Sequence, residues 1–286
     1  MDLTISITSY NTKYVLSETL QAIIENTHNV EYEIVVVDNN SSDGTIEYIE
    51  KAYPEIILIK NDENRYLCYA QNQALKIARG KYFLICNSDM YIPENTIEEM
   101  VRFLNNHPDA GSVGCVNFGD KGNPQNLAYV PWDVRTFSQI VTQNSYVLSR
   151  FVKPKNTAYR ELDSSLATQT VPINGDAFMM CITDLLRKIG GYDEKFKLFY
   201  TEDDLSLRIL TNGYRNYFLN YAHVYNTGGG SQSTRQLPRF FLQKIHIGDA
   251  LAYTNKYFGD FRYCMARIIL YFDLYFIYRL VLFFKK

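Results

Sequence analysis

Apolar positions in the first hundred residues switch between two periods. Residues 3–8, 32–37, 56–60 and 81–86 are short apolar runs, one of them the continuous Ile34-Val35-Val36-Val37. Continuous β-branched runs suit strands of a parallel sheet covered on both faces. Helical patterns lie between them. Leu16, Leu20, Ile23, Ile24 and Thr27 share one face of a helix. Ser42 or Asp43 can cap a second helix, carrying Ile46 and Ile49. Ala70, Ala74, Leu75 and Ala78 mark a third, closed by Gly80. Strand and helix alternate four times, which predicts a doubly wound α/β domain. In such sheets ligands bind beyond the carboxyl ends of the strands. Those ends are Thr8-Ser9-Tyr10-Asn11, Asp38-Asn39-Asn40, Asn61-Asp62-Glu63-Asn64 and Asn87-Ser88-Asp89. All four are polar, as a shared polar ligand site requires.

The pattern weakens between residues 117 and 170, where Gly, Pro and Asn mix with Tyr129, Trp132, Phe137 and Tyr146. A substrate-facing insertion of short elements is expected there. Order returns at residues 173–180 and continues through residues 190–196. At residues 199–209 the spacing predicts a helix with Thr201 as its cap and Glu202, Asp203 and Asp204 in its first turn. The chain therefore divides into a ligand-binding half (1–116), a second half of the same domain (117–235) and C-terminal helices (236–286). In the tail, residues 261–286, Arg267, Asp273 and Arg279 interrupt the apolar runs. A spanning helix needs about 20 apolar residues with few charges. The tail instead suits an amphipathic helix at a membrane surface, with five basic residues against one acid to meet lipid phosphates. Packing on the domain or in a homodimer is the alternative.

Composition narrows the function classes. With a net charge of −2, the chain has no general electrostatic support for binding nucleic acid. Cys68, Cys86, Cys115, Cys181 and Cys264 stand singly, without a CxxC pair, which suits reduced thiols in the cytoplasm. The opening residues lack the basic and apolar regions of a signal peptide. There is no GxGxxG after the first strand and no GxxxxGK[ST], so the common dinucleotide and phosphate cradles are absent. A bound nucleotide diphosphate would need another counter-charge, and a metal held by Asp89 is the natural candidate.

Seven short motifs occur in order: TSYN (8–11), VVDNNSSDGT (36–45), DENRYLCYAQNQAL (62–75), NSD (87–89), GGYDEKF (190–196), EDDLSLR (202–208) and GGGSQ (228–232). Together they resemble glycosyltransferase family 2, and most closely its rhamnosyltransferase-like branch, which builds bacterial surface polysaccharides. The resemblance implies a GT-A fold and inverting transfer of a sugar from a nucleotide diphosphate, dTDP- or UDP-linked. A glycan or polyprenyl-linked acceptor and a place on the inner face of the cell membrane follow from the same likeness. Thr8, Ser9 and Asn11 would line the nucleotide pocket, with Asp38 and Asn40 beside the base or ribose. Asn64, Arg65 and Asn72 would contact nucleotide and sugar, although Arg65 departs from the apolar residue common there. Asn87, Ser88 and Asp89 match the family's DxD, of which only the last acid is kept; Asp89 would reach a metal-bound diphosphate. Gly175, Asp176 and Trp132 are candidates for the acceptor side. The mobile-looking segment with Ser231 and Arg235 could close on the diphosphate.

Inverting transfer needs a carboxylate to take the acceptor proton and a charge to stabilise the departing diphosphate. The acid turn resembles the family's base motif with one residue missing, so the base falls on Asp203 or on Glu202 depending on how the motif is counted. Asp204 reads as a helix-stabilising acid. Where the family has a metal-binding His, this chain has Asn226, with His223 three residues earlier as the other candidate. Amides are weak ligands for Mg²⁺ or Mn²⁺. A divalent metal bound mainly with the donor's help is therefore expected. The competing reading is a non-catalytic sugar-nucleotide-binding or scaffold subunit. A nucleotidyltransferase lacks support, because TSYNTKYVL carries a single basic residue.

Overall fold

The computed structural model describes residues 1–119, 124–125, 128–129, 136–151, 162–227 and 238–279. The amino-terminal half runs β1 (Leu3–Ser9), α1 (Lys13–Asn26), β2 (Tyr32–Asp38), α2 (Thr45–Ala52), β3 (Ile57–Lys60), α3 (Tyr66–Ile77), β4 (Tyr82–Asn87), β5 (Met90–Tyr91), α4 (Thr96–Asn106) and β6 (Ala110–Phe118). Next come β7 (Pro124–Gln125), β8 (Ala128–Tyr129), α5 (Phe137–Asn144), α6 (Leu148–Phe151), β9 (Thr168–Val171), β10 (Ile173–Asn174) and β11 (Phe178–Ile182). The rest is α7 (Thr183–Lys188), α8 (Thr201–Thr211), β12 (Arg215–Asn226), α9 (Arg239–Phe258), α10 (Asp260–Phe272) and a π-helical turn, Asp273–Tyr278.

The four strands expected from the apolar runs form the parallel block β3-β2-β1-β4. Beyond β4 the sheet becomes mixed. β11 is antiparallel to β4 and β6, β12 is parallel to β6, and β5 closes the edge antiparallel to β12. Period-two alternation divides each central strand between two layers. Leu3, Ile5, Ile7, Ile34, Val36 and Leu84 pack against α1 and α4. Val35, Val37, Phe83 and Ile85 pack on the other face, against α3, α7, α8 and α9. This is why the second strand reads as an unbroken Ile-Val run. Truncating one such buried side chain to Ala costs about 2–5 kcal/mol.

Register fixes the functional edge. Ser9 lies opposite Asp38, Thr8 opposite Asn87, and Asp38 opposite Lys60. The polar strand ends read from the sequence therefore form one continuous rim.

Two local expectations are corrected and a third is made specific. At α2 the cap position is Gly44, in the left-handed region with φ 82. Asp43 acts from just outside, where its Oδ1 accepts from the Thr45 amide at 3.1 Å. At α8 the cap position is Tyr200, left-handed at φ 63, and Thr201 is the first helical residue. Phe137 to Asn144, in the stretch expected to hold short elements, form a helix with a capping box. The Gln139 amide donates to Thr136 Oγ1 at 3.3 Å and the Thr136 amide to Gln139 Oε1 at 2.8 Å.

The C-terminal helices pack on the domain through one face. Tyr253 of α9 is fully buried beside Tyr200 and Phe196. Ala266, Leu270 and Leu274 pack against Ile247, Leu251 and Val141. Asp273, read as an interruption, is buried, and its Oδ2 accepts from Ser145 Oγ at 2.6 Å and from the Val147 amide at 3.2 Å. Among the described residues no helix is long and apolar enough to cross a membrane. All five cysteines are free thiols; four are buried and Cys264 is exposed.

Candidate active site

On the rim, Asp38 is fully buried and organises the loop that follows it. Its Oδ1 accepts from the Ser41 amide at 2.7 Å and its Oδ2 from Ser41 Oγ at 2.6 Å. Burial pushes its carboxyl up, and the hydroxyls and amide of Ser41 and Ser9 pull it partly back. Thr8 Oγ1 accepts from Gln71 Nε2 at 3.2 Å. Ser9 Oγ lies 3.0 Å from Thr12 Oγ1. Asn11 Oδ1 accepts from the Ser42 amide at 2.8 Å, and Asn40 stands exposed in the left-handed region. Beside this loop opens a recess of about 510 Å³ lined by Lys13, Ser41, Ser42, Tyr48 and Lys51 among others.

The next loop is tied to itself. Asn64 Oδ1 accepts from the Tyr66 amide at 2.9 Å, starting α3. Arg65 is exposed; it pairs with Glu63 at 2.9 Å and lies over the Tyr69 ring at 4.5 Å. The Asn72 amide makes three bonds. Its Nδ2 donates to Tyr192 O and Glu194 Oε1, both at 2.9 Å, and its Oδ1 accepts from the Tyr192 amide at 2.8 Å. A sugar-nucleotide acceptor group at Asn72 Nδ2 would have to displace its bonds, whereas Oδ1 keeps a second lone pair. The three bonds depend on Gly191, in the left-handed region, where a Cβ would sit 2.4 Å from Asn72 Oδ1.

The end of β4 brings the second half of the domain to the rim. The Asn87 amide donates to Ala177 O at 2.9 Å, which places Asp176 next to the NSD turn. Thr19, on α1, clamps the main chain on both sides of Asp89. Its Oγ1 donates to Ser88 O and accepts from the Met90 amide, both at 3.0 Å. Asp89 itself is buried. Asn226 lies opposite Met90, and the Thr227 amide donates to Asp89 O at 2.9 Å. Of the two metal-ligand candidates on β12, the fold thus brings Asn226 beside Asp89. His223 packs against Phe118 and Tyr225 instead, with ring centroids 5.9 and 5.5 Å away. Among the described residues no three His, Cys, Asp or Glu side chains gather as a metal site.

From Asp176 a hydrogen-bond chain leads to the acid turn. Thr201 Oγ1 lies 2.7 Å from Asp176 Oδ2 and 3.1 Å from Glu202 Oε2. One hydroxyl carries one proton, so the two carboxylates compete for it and the shorter contact dominates. Tyr192 OH donates to the same Asp176 oxygen at 3.2 Å. Asp176 is half-buried by surface area but closely surrounded. Burial pushes its carboxyl up, the two hydroxyls oppose this, and the charge of nearby Asp203 adds to it. Asp203 is fully buried and Glu202 half-buried. Asp204 faces away into an ionic cluster, accepting from Arg208 Nε at 2.8 Å, Tyr257 OH at 2.7 Å and Lys256 Nζ at 2.5 Å.

Several positioning residues escaped the sequence reading. Thr19 gave no signal. Asp249 did, as a lone acid within an apolar helical stretch. It accepts from the Lys197, Leu198 and Phe199 amides at 3.0, 2.9 and 2.9 Å, fixing the segment that leads into the acid turn. Trp132, Ser231 and Arg235 lie outside the described residues.

The polar strand rim and the acid-bearing turn after β4 fall within a stretch that matches a known family. A family model described as Glycosyl transferase family 2 covers residues 4–190. The chain belongs to glycosyltransferase family 2. This family 2 chain is 34% identical over 133 residues to a poly(ribitol-phosphate) beta-glucosyltransferase of Bacillus spizizenii, covering 44% of this chain and 21% of that one. It is 34% identical over 101 residues to UDP-Glc:alpha-D-GlcNAc-diphosphoundecaprenol beta-1,3-glucosyltransferase WfaP of Escherichia coli, covering 35% of this chain and 40% of that one. It spans less than two thirds of the length of the curated relatives it matches. Among solved structures it is similar to TarS of Staphylococcus aureus in complex with UDP-GlcNAc, with TM-score 0.58 and 18% identity over 94% of this chain and 70% of that one. It is also similar to the mannosyltransferase PcManGT of Pyrobaculum calidifontis in complex with GDP-Man and Mn²⁺, with TM-score 0.56 and 19% identity over 97% and 81%. At these identities the structural likeness establishes the GT-A fold.

Proposed function

We propose that this chain transfers a sugar from a nucleoside diphosphate donor to a hydroxyl of a cell-surface glycan, with inversion at the anomeric carbon. One observation carries the reading. The bond from Asn87 to Ala177 and the bond from Thr201 to Asp176 join the Asp89 turn to the Glu202-Asp203 turn at one rim. A group that holds a diphosphate and a group that takes a proton must be neighbours for this reaction.

The acceptor oxygen attacks the anomeric carbon, and its proton passes to Asp203, with Glu202 the other candidate base. The bond from that carbon to the diphosphate oxygen breaks, and its electron pair leaves with the nucleoside diphosphate. Asp38 and its serine loop lie where the nucleoside would rest, and Asp89 lies where the diphosphate would. Gly175 and Asp176 would face the acceptor. The donor set around Asp89, one carboxylate with the amides of Asn87 and Asn226, suits Mg²⁺ or Mn²⁺ completed by diphosphate oxygens and is too poor to hold the ion alone. When bound, such an ion would neutralise charge on the leaving diphosphate.

The relatives' names support the glycan class: one acts on poly(ribitol-phosphate) and one on a diphosphoundecaprenol-linked sugar. The latter supports a polyprenyl-linked acceptor here. A UDP-linked hexose fits these names, whereas dTDP-rhamnose rests on motif likeness. A thermal-shift panel of UDP-glucose, UDP-GlcNAc and dTDP-rhamnose, each with and without Mn²⁺, tests the reading. A ligand at a hundred times its Kd stabilises by about 2.7 kcal/mol. The expected outcome is a clear rise with one donor and Mn²⁺ together and little with Mn²⁺ alone. Indifference to every donor would overturn it, and donor binding without any turnover would favour the non-catalytic subunit.

A further inference from the structure

The helix α10 and the turn after it carry two apolar faces, of which the fold covers one. Ala266, Leu270 and Leu274 are buried against α5 and α9. On the far side Phe261, Met265, Ile268 and Phe272 are 78, 40, 72 and 57% exposed, and Phe276 in the following turn is 60% exposed. At about 100° per residue the first four fall within a strip about 60° wide. Side chains of this size left in water on one strip are an uncovered surface rather than scattered exposure. Arginines border the strip on both sides: Arg262 lies about 100° to one side of Phe261, and Arg267 about 120° to the other. Their guanidinium groups lie 5.9 Å from the Phe258 ring and 5.9 Å from the Tyr271 ring. Arg279, after the turn, lies 5.1 Å from the Phe240 ring. Asp273 is turned inward to Ser145, which leaves Asp260 at the first turn as the one exposed acid of residues 260–279.

We propose that this ridge docks on an anionic lipid surface, with the aromatic and aliphatic side chains entering the headgroup boundary and Arg262, Arg267 and Arg279 meeting lipid phosphates. Charge decides between occupants. A second copy packed ridge to ridge would set arginine rows against arginine rows, with almost no acid to answer them. An anionic surface answers every one of them. The ridge is too short and too bordered by charge to enter the hydrocarbon interior, and lying in the interface plane is the geometry such a helix permits. The inference rests on this face alone and is independent of the transfer reaction.

The test is co-sedimentation of the full chain with vesicles of equal parts phosphatidylglycerol and phosphatidylcholine, beside vesicles of phosphatidylcholine alone. The anionic vesicles should capture the protein and the neutral ones should not. Ile268→Glu with Phe272→Glu should weaken capture by on the order of a hundredfold. Arg262→Gln and Arg267→Gln should each weaken it about fivefold. All four positions are exposed, so circular dichroism and donor-dependent thermal shift should match the parent protein, separating lost docking from lost folding. Failure of the parent protein to bind anionic vesicles would overturn the proposal. So would capture unchanged by the double glutamate variant, or a dimer in sedimentation equilibrium that the same variant dissociates.

Discussion

The Asp38 edge and the acid turn are built differently. At the Asp38 edge several polar side chains close over their own loops, beside longer bonds such as Asn11 to Ser42 and Thr8 to Gln71. Asp38 bonds Ser41 three residues on, and Asp43 and Asn64 each bond two residues on. At the acid turn the partners arrive from far along the chain. Asp176 meets Thr201 across 25 residues, Asp249 meets Leu198 across 51, and Asp204 meets Tyr257 across 53. Local Asx and serine turns form wherever their few residues are present. The acid turn exists only once three separate segments have folded together. Its chemistry and its stability are therefore entangled, and neighbouring acids there serve different ends.

The largest expected effect separates those ends. Asp203→Asn should lower sugar transfer by about a hundredfold to ten-thousandfold, the usual contribution of a positioned base. Donor binding, followed by calorimetry, should persist. Glu202→Gln should cost less. If Glu202→Gln alone abolishes transfer, the base is Glu202; if neither change matters, the acid turn is not the proton acceptor.

Its neighbour sharpens the contrast. Asp204, itself buried, holds Arg208, Lys256 and Tyr257, which reach the surface, in one cluster. Losing these charged bonds costs on the order of 3 kcal/mol, the low end for a buried ion pair, because Lys256 and Arg208 reach solvent. Asp204→Asn should shift the urea midpoint by that order while turnover per folded molecule stays close to the parent value. Lost turnover with an unchanged unfolding curve would reverse the roles of Asp203 and Asp204.

This division explains what the sequence disclosed. The parallel block, the rim and the acids on it follow from period-two and helical patterns and from polar strand ends, which are local signals. The assignment of Thr201 as a cap failed because the chain reaches α8 through left-handed Tyr200, a conformation disfavoured for a bulky residue and held here by Asn144 and Tyr253. Its hydroxyl was then available to Asp176. The mixed half of the sheet carries no local mark of strand direction. The helix at Phe137–Asn144 was legible in its Thr-x-x-Gln spacing, but the surrounding Gly, Pro and aromatic residues hid it. Thr19 could not have been found, since its use depends on where α1 crosses the end of β4.

At the Asp38 edge a smaller effect is expected. Asp38→Asn keeps an acceptor for Ser41 but loses the charge, and hydrogen bonds to charged groups are worth about 1.5–3 kcal/mol. The donor KM should rise roughly tenfold or more with kcat little changed. A fall in kcat at constant KM would move Asp38 from binding to the chemical step.

The smallest effect is a change of slope with pH, and it tests the link between the two regions. Burial holds the Asp176 carboxyl above its ordinary value, and Asp203 pushes the same way against the Thr201 and Tyr192 hydroxyls. A carboxyl raised in the folded state binds its proton more tightly there than in the unfolded chain. Its contribution to stability is therefore complete below the unfolded value, about pH 4, and fades as pH rises through the folded value. Asp176→Asn removes this dependence. Urea midpoints of the two proteins, compared from about pH 4 to neutrality, should converge or cross as pH rises, with the parent protein relatively more stable on the acid side. A constant difference across that range would mean that Asp176 titrates as an ordinary carboxylate. The hydroxyl shared by Asp176 and Glu202 would then fix geometry without coupling the charge of the acid turn to that of the rim.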